Sequence, residues 1–446
     1  MVAVAVPQGP KGGRVFGNMR EFNRDTLGFI ERCEREFGDV VLTRFLYMPA
    51  YFLFNPEHIE YVLATGAKNF VKAASLRSPF FLRLVGDGLV TSDGEFWRRQ
   101  RRLAQPAFHR DRVASYGETM VAFTERALAR WQDGQMLDAH EEMMLLTQVI
   151  VAQTLFSADV STEAREIGEA LSRIVRPFSA QATVKWILDN RLPTPAHLRF
   201  NRAVQKIDRF VYRIIGARRA SGEDRGDLLS MLLRAQDEDG SGMTDRQLRD
   251  EVMTLFLAGH ETTALALTWA WYLLARNPEA ESALHAELEE VLGGRAPSVE
   301  DLPRLRYCEW VVKESLRLYP PAYAVGREAV RDCEVGGYRI PSGMQVFVFQ
   351  WAVQRDARWY DEPEAFRPER WREEVSARLP KFAYFPFGGG PRQCIGNAFA
   401  MMEAVLILAT IARRFRLRLV PGHAVELLPA MSLRPKDGIR VKLERR

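Results

Sequence analysis

The sequence predicts one large, mainly α-helical domain that carries small β-sheets. Apolar residues recur at helical spacing from about residue 95 to 315. Short runs of β-branched and aromatic residues are confined to the two flanks, Val40 to Phe54 and the segment from Pro320 to about Trp351. The chain has 446 residues, 47% of them hydrophobic, which is ample for a sizeable core. Length alone suggests about three domains at roughly 150 residues each. No internal repeat or low-complexity linker divides the chain, so a single domain over 1–446 is expected.

The first twenty residues are rich in Gly and Pro and read as an irregular lead-in. Val40 to Phe54 suggests a pair of strands, and Asn55-Pro56 then opens a helix with Pro at an early helical position. Within the helical region two breaks are expected, at Arg191 to Pro195 and at Asp237 to Gly242. After the second, Thr244 and Gln247 form a capping-box pattern. The helix they open is predicted to run to Arg276, before Asn277-Pro278. That is about thirty residues against a mean of roughly 11–12, so this helix should cross the whole core. An irregular stretch from about 355 to 393 follows the late strands, and a last helix is predicted from about Ile395 to Phe415.

Composition narrows the function. Net charge is +5, from 62 basic and 57 acidic residues, too small an excess to imply nucleic-acid binding without a concentrated stripe. The cysteines, Cys33, Cys308, Cys333 and Cys394, lie far apart, which fits a reducing cytoplasm rather than a disulfide framework. The apolar start, Met1 to Val6, stops at Pro7, well short of the about 20 residues of a membrane span. No membrane anchor is expected, and a cytoplasmic monomer is the expectation.

The most informative segment is Phe385-Pro-Phe-Gly-Gly-Gly-Pro-Arg-Gln-Cys-Ile-Gly396. Its glycines and prolines force a tight backbone, and Cys394 follows at the predicted start of a helix. That helix has an apolar stripe of Ala398, Met401, Met402, Val405, Leu408, Ala409 and Ala412. A helix N-terminus and the nearby Arg392 should both lower the thiol pKa and favour thiolate. Thiolate is the form that binds iron and favours O–O cleavage. The spacing F-x-x-G-x-R-x-C-x-G is filled by Phe387, Gly390, Arg392, Cys394 and Gly396. The loop resembles the haem-binding loop of the cytochrome P-450 family, which implies that family's fold and a haem-thiolate monooxygenase. With no C-x-x-C-H motif, the expected haem b is non-covalent, with Cys394 as its axial ligand.

Mid-way along the long helix, Ala258-Gly-His-Glu-Thr-Thr263 contains a glycine that costs about 1 kcal/mol relative to Ala. The segment resembles the family's acid–alcohol pair, with Glu261 and Thr262 relaying the protons that oxygen reduction consumes. His260 fills a variable position. The pair speaks against two alternatives, a haem-thiolate isomerase or dehydratase and a non-catalytic haem sensor. Glu314-Ser-Leu-Arg317, joined by Arg370 of Phe366-Arg-Pro-Glu-Arg-Trp371, resembles a buried structural charge triad. Trp97 and Arg101, at i and i+4 on one helix face, together with Arg327 and Arg392, match the family's haem-propionate contacts.

The resemblance also implies a distal pocket. Leu76, Phe80, Phe81 and Leu84 would line it, with Ala322, Tyr323, Ala324 and Val325, with Leu255, Ala258 and Gly259, and with Met431 and Leu433. Phe178 and Trp186 would form a lid. The lining is mostly apolar, so a hydrophobic substrate is expected: a fatty acid anchored by Arg77 or Arg83, or a terpenoid or similar metabolite. No reductase domain is expected. Electrons are expected from a ferredoxin or flavodoxin with its reductase, steered to the basic group Arg98, Arg99, Arg101, Arg102, Arg110 and Arg112.

Overall fold

The computed structural model describes residues 6–158, 168, 195–236, 240 and 242–446. Phe178 and Trp186, most of the Arg191–Pro195 break and part of the Asp237–Gly242 turn lie outside the described residues. Helices dominate. The central one, Asp245–Arg276, is 32 residues long, about 48 Å at 1.5 Å per residue. Its start is fixed locally. The Thr244 hydroxyl accepts from the Gln247 amide at 3.3 Å, and the Gln247 side chain accepts from the Thr244 amide at 2.9 Å. This reciprocal cap satisfies amides that would otherwise be orphaned.

Most of the central helix is buried, because other helices surround it. Ala139–Phe156 packs alongside, with Val151 against Gly259. Pro195–Ser221, Arg306–Leu318 and Asn397–Ala412 cover further faces. Polar side chains pin the assembly: Thr147 donates to the His260 carbonyl at 3.0 Å, Ser315 to the Ala266 carbonyl at 3.0 Å, and Trp269 Nε1 to the Leu433 carbonyl at 3.1 Å.

The largest sheet stands beside this bundle. Its strand order is Val40–Phe45, Met48–Leu53, Gln345–Val348, Val325–Ala329, Phe70–Lys72. Met48–Leu53 and Gln345–Val348 pair in parallel and the other neighbours antiparallel. The register sets Lys72 opposite Arg327. Helix Thr26–Phe37, capped by Asp25 on the Gly28 amide at 3.0 Å, adds Phe29, Ile30 and Cys33 to the sheet's own apolar core. The cysteine loop bridges the two cores, with Phe385 in the sheet core and Phe387 and Ile395 against the helical one.

Two expectations are corrected. The last helix spans Asn397–Ala412, not Ile395 to Phe415; Gly396 is its N-cap, and Phe415 opens a strand, Phe415–Leu419. The helix is also buried over its whole circumference from Met402 to Ala412, rather than along one stripe, because it fills the interior beside the central helix.

Candidate functional site

Three short elements carry the candidate residues, and Cys394, Ala258 and Thr262, exposed amid largely buried surroundings, mark an internal slot. The first is the cysteine loop. Gly390 has φ +65°, and any side chain there would collide with the Leu63 carbonyl, so only glycine lets the loop press against the 61–65 turn. The Cys394 amide donates to the Phe387 carbonyl at 3.0 Å, closing the loop. The Cys394 thiol is exposed on the slot, whereas Cys33 and Cys308 are buried. Burial pushes those two thiols up, Cys33 to about 12.

The expected lowering of the Cys394 pKa is not found. The surrounding protein pushes the thiol above its ordinary range, and the Gly396 amide and the Arg101 guanidinium only partly oppose this. The N-cap amide of the last helix, Gly396, does reach the sulfur, but burial outweighs it. A thiolate here calls for a further positive charge, which a haem iron supplies.

The second element is the middle of the central helix. On a helix that is otherwise largely buried, Ala258 and Thr262 are exposed, one turn apart. They face the slot. The Thr262 hydroxyl donates to the Ala258 carbonyl at 2.8 Å. Its hydrogen is therefore committed, and its lone pairs are left to accept. Glu261 is buried, and its Oε1 accepts from Ser432 Oγ and Arg434 Nη2. His260 is buried on the far side, its Nδ1 2.7 Å from the Phe256 carbonyl, and burial lowers its pKa. Leu255 is buried, and Leu76, Gly259, Ala324, Val325 and Met431 are half-buried. Phe80 and Phe81 are buried in the helical core, where Phe80 stacks on Phe200 at 3.9 Å.

The third element is a group of buried cations. Arg392 lies 4.3 Å over the Trp97 ring, pairs with Asp93 and donates to the Ser92 carbonyl at 3.2 Å. Arg327 is buried, donates to its neighbour's Gly326 carbonyl at 2.9 Å, and is held down to about 10 by burial and by Arg392. Lys72 is buried beside them, donates to the Leu89 carbonyl at 2.6 Å, and burial depresses it to about 7. The nearby acids are Asp93 and Glu251, the latter pushed up to about 7 by burial. The Arg327 and Arg392 guanidiniums thus face Asp93, while burial drives Lys72, Glu251 and Asp87 toward neutrality. Arg101 is set apart. It donates to the Gln393 carbonyl at 2.8 Å and sits next to the thiol.

The triad Glu314, Arg317 and Arg370 is drawn together away from the slot. Arg317 Nε and Nη2 donate to Glu314 at 2.9 and 2.8 Å, and Arg370 Nε at 3.2 Å. Trp371 Nε1 adds a bond at 3.0 Å that the sequence did not suggest.

Lys72, Asp93, Ser432 and Arg434 were also missed. No local pattern marks Lys72, since strand pairing alone brings it to Arg327. The alternation Ser432-Leu433-Arg434 does place two polar groups on one face of a strand, and that was a usable signal. Glu403, buried against Thr263 and pushed well above its ordinary range, was likewise unmarked.

The residues fit a haem. Among the described residues, no group of three His, Cys, Asp or Glu could hold a metal ion, so a metal bound through Cys394 must bring most of its ligands with it. The Arg327 and Arg392 guanidiniums suit the two carboxylates of a haem. Among the described residues no helix is long and apolar enough to cross a membrane.

Comparison with known proteins agrees with this fit. The family model described as Cytochrome P450 matches residues 7–443. Cyclooctatin synthase of Streptomyces melanosporofaciens is 43% identical over 433 residues, 95% of this chain and 92% of that protein. Cyclooctat-9-en-7-ol 5-monooxygenase of the same organism is 38% identical, covering 86% and 84%. Pentalenene oxygenase of Streptomyces avermitilis is 35% identical, covering 97% and 96%. The crystal structure of the cytochrome P450DA heme domain matches with a TM-score of 0.88 at 25% identity, over 99% of this chain and 98% of that one. The chain belongs to the cytochrome P450 family: it is a monooxygenase that uses O2, a haem with an axial cysteine thiolate, and electrons from a redox partner.

Proposed function

We propose that this chain, as one haem domain over 1–446, oxygenates a neutral terpenoid at a haem held by Cys394. The observation that carries the reading is the slot itself. One thiol, Cys394, opens onto it, and Ala258 and Thr262 are exposed on a central helix that is otherwise largely buried. Bound haem would supply iron for oxygen activation, with the Cys394 thiolate pushing electron density onto it.

The chain's own residues do the rest. Arg327, Arg392 and Lys72, with Trp97 behind Arg392, would hold the haem carboxylates. Arg101, tied to Gln393, stabilises negative charge on the sulfur. Phe387 and Gly396 shape the loop. Thr262, its hydrogen given to the Ala258 carbonyl, accepts a hydrogen bond from the oxygen side of the slot and fixes where a proton arrives. Glu261 is the acid that passes protons inward. An isomerase or a sensor would not need this pair.

The substrate reading rests on what the cations do. Arg77 pairs with Glu328 at 2.5 Å and Arg83 with Asp208 at 3.2 Å. Both proposed anchors for a fatty-acid carboxylate are therefore already engaged. Leu76, Leu255, Ala324, Val325 and Met431 offer apolar contact, which suits a neutral ring system. The relatives named for cyclooctatin and pentalenene chemistry point the same way. A ferredoxin or flavodoxin is the proposed electron donor, docking on exposed Arg98 and Arg102 near the cysteine side. Four free cysteines suit a reducing cytoplasm.

The test is a haem-absorbance titration of the holoenzyme with cyclooctat-9-en-7-ol and with a fatty acid of equal carbon number. A low- to high-spin shift with the terpenoid at the lower concentration is expected. Tighter binding of the fatty acid would overturn the substrate assignment.

A further inference from the structure

Glu261 sits in the middle of the molecule, but its partners come from the C-terminal turn. Ser432 Oγ and Arg434 Nη2 both bond to one oxygen, Oε1. Oε2 takes no part in that clamp. Ser432 and Arg434 are themselves buried, 5% and 6% exposed. Their turn is anchored to the rest of the core. The Leu433 amide donates to the Pro321 carbonyl at 2.9 Å, and Trp269, two turns along the same central helix, donates to the Leu433 carbonyl at 3.1 Å. A buried carboxylate is thus gripped on one side by a rigid cation and a hydroxyl.

We propose that Ser432 and Arg434 are positioning residues that pin Oε1 of Glu261 so that Oε2 delivers protons toward Thr262. This rests on the reading of Glu261 and Thr262 as the acid–alcohol pair. The carboxylate takes a proton from solvent water, releases it on the Thr262 side, and returns to its charged form, so the clamp is regenerated in each cycle. Free rotation about three side-chain bonds would otherwise spread Glu261 over several orientations, and proton transfer requires hydrogen-bond reach. The other titratable groups that face this site are His140 and Asp138 at the start of the Ala139–Phe156 helix, and His260 on the central helix. Burial depresses both imidazoles, His140 to about 4 with Arg434 contributing, so the cation that answers Glu261 near neutral pH is Arg434.

The test uses holoenzyme with a surrogate ferredoxin and its reductase, in Arg434→Met, Arg434→Lys, Ser432→Ala, Glu261→Gln and Thr262→Ala variants. Infrared spectra of the resting protein read the carboxyl group without turnover. Arg434→Met should gain a protonated-carboxyl stretch that disappears in the Arg434→Met, Glu261→Gln double variant, because a buried carboxylate without its cation takes up a proton. Arg434→Lys should not gain it. In peroxide-leak assays Arg434→Met should resemble Glu261→Gln, with about a tenfold or greater rise in the fraction of electrons lost as peroxide, Ser432→Ala should fall between, and Arg434→Lys should restore most of the wild-type value. If Glu261→Gln and Thr262→Ala leak while Arg434→Met gains no band and does not leak, the positioning role is wrong and the acid–alcohol reading stands. If none of the variants leaks, that reading itself falls, and the clamp proposal with it.

Discussion

Replacing Glu314 with Ala should destabilise the folded chain more than almost any other single change. The carboxylate is fully buried and accepts from Arg317 Nε and Nη2, Arg370 Nε, Trp371 Nε1 and the Arg367 amide, at 2.8 to 3.2 Å. Truncation leaves Arg317, itself fully buried, without its counter-charge. Breaking a buried pair from one side costs about 3–5 kcal/mol. Arg317 keeps three carbonyl acceptors, on Gln354, Pro363 and Ala365, which softens the loss. A value of about 4 kcal/mol is expected, within a total stability of roughly 5–15 kcal/mol. The Glu314→Leu, Arg317→Met double variant removes both charges and should lose less than Glu314→Ala alone. The Tyr384 hydroxyl donates to the Lys313 carbonyl at 3.1 Å, and Trp371 lies 4.2 Å from the Tyr384 ring. Disturbing the triad should therefore reach the segment leading into the cysteine loop. The assay is urea unfolding of the holoenzyme, followed in parallel by helix signal and haem absorbance. A loss below about 1 kcal/mol for Glu314→Ala, the range of an exposed pair, would refute the view that the triad holds the fold together.

Three further outcomes are expected. Thr262→Ala should keep substrate binding but divert electrons to peroxide or water, lowering product formed per reduced cofactor; unchanged coupling would count against Thr262 as the proton-positioning group. Reversing Arg98 and Arg102 to Glu should slow reduction by an acidic ferredoxin and flatten its salt dependence, as read by stopped-flow; an unaltered rate would remove this face as the docking surface. Acid should destabilise the fold through His285, which burial and then Arg446, Arg416 and Arg418 hold down to about 3. Its folded pKa lies below the ordinary 6.5, so the unfolded chain binds the extra proton. Stability is full above about pH 6.5 and falls as pH drops toward 3. His285→Gln should flatten the midpoint–pH curve over that window, and an identical slope in both proteins would show that this imidazole is not the sensor.

Local chemistry made much of this legible in the sequence. The Thr244–Gln247 cap needs only four consecutive residues, and it marked the start of the central helix. The cysteine loop is equally local, since glycine spacing dictates its turn. What could not be read depends on chain segments far apart. Ser432 and Arg434 reach Glu261 across 171 and 173 residues, and Lys72 reaches Arg327 only through strand register. The thiol pKa departs from the expectation for a related reason: a helix-dipole argument sees the neighbours in sequence, whereas desolvation by the surrounding protein, which outweighs them at Cys394, is set by the whole fold. The all-round burial of the last helix follows from its position inside the bundle, so its sequence stripe understated it.

Cys394 is the thiolate proposed to ligate the haem iron, and the reduced carbon-monoxide difference spectrum reads that bond. The purified holoenzyme should show a strongly red-shifted Soret band. Cys394→His should lose this band while retaining haem, and Cys308→Ala should keep it. A wild-type protein that binds haem without the shifted band, or a Cys394→His variant that still has it, would contradict the assignment.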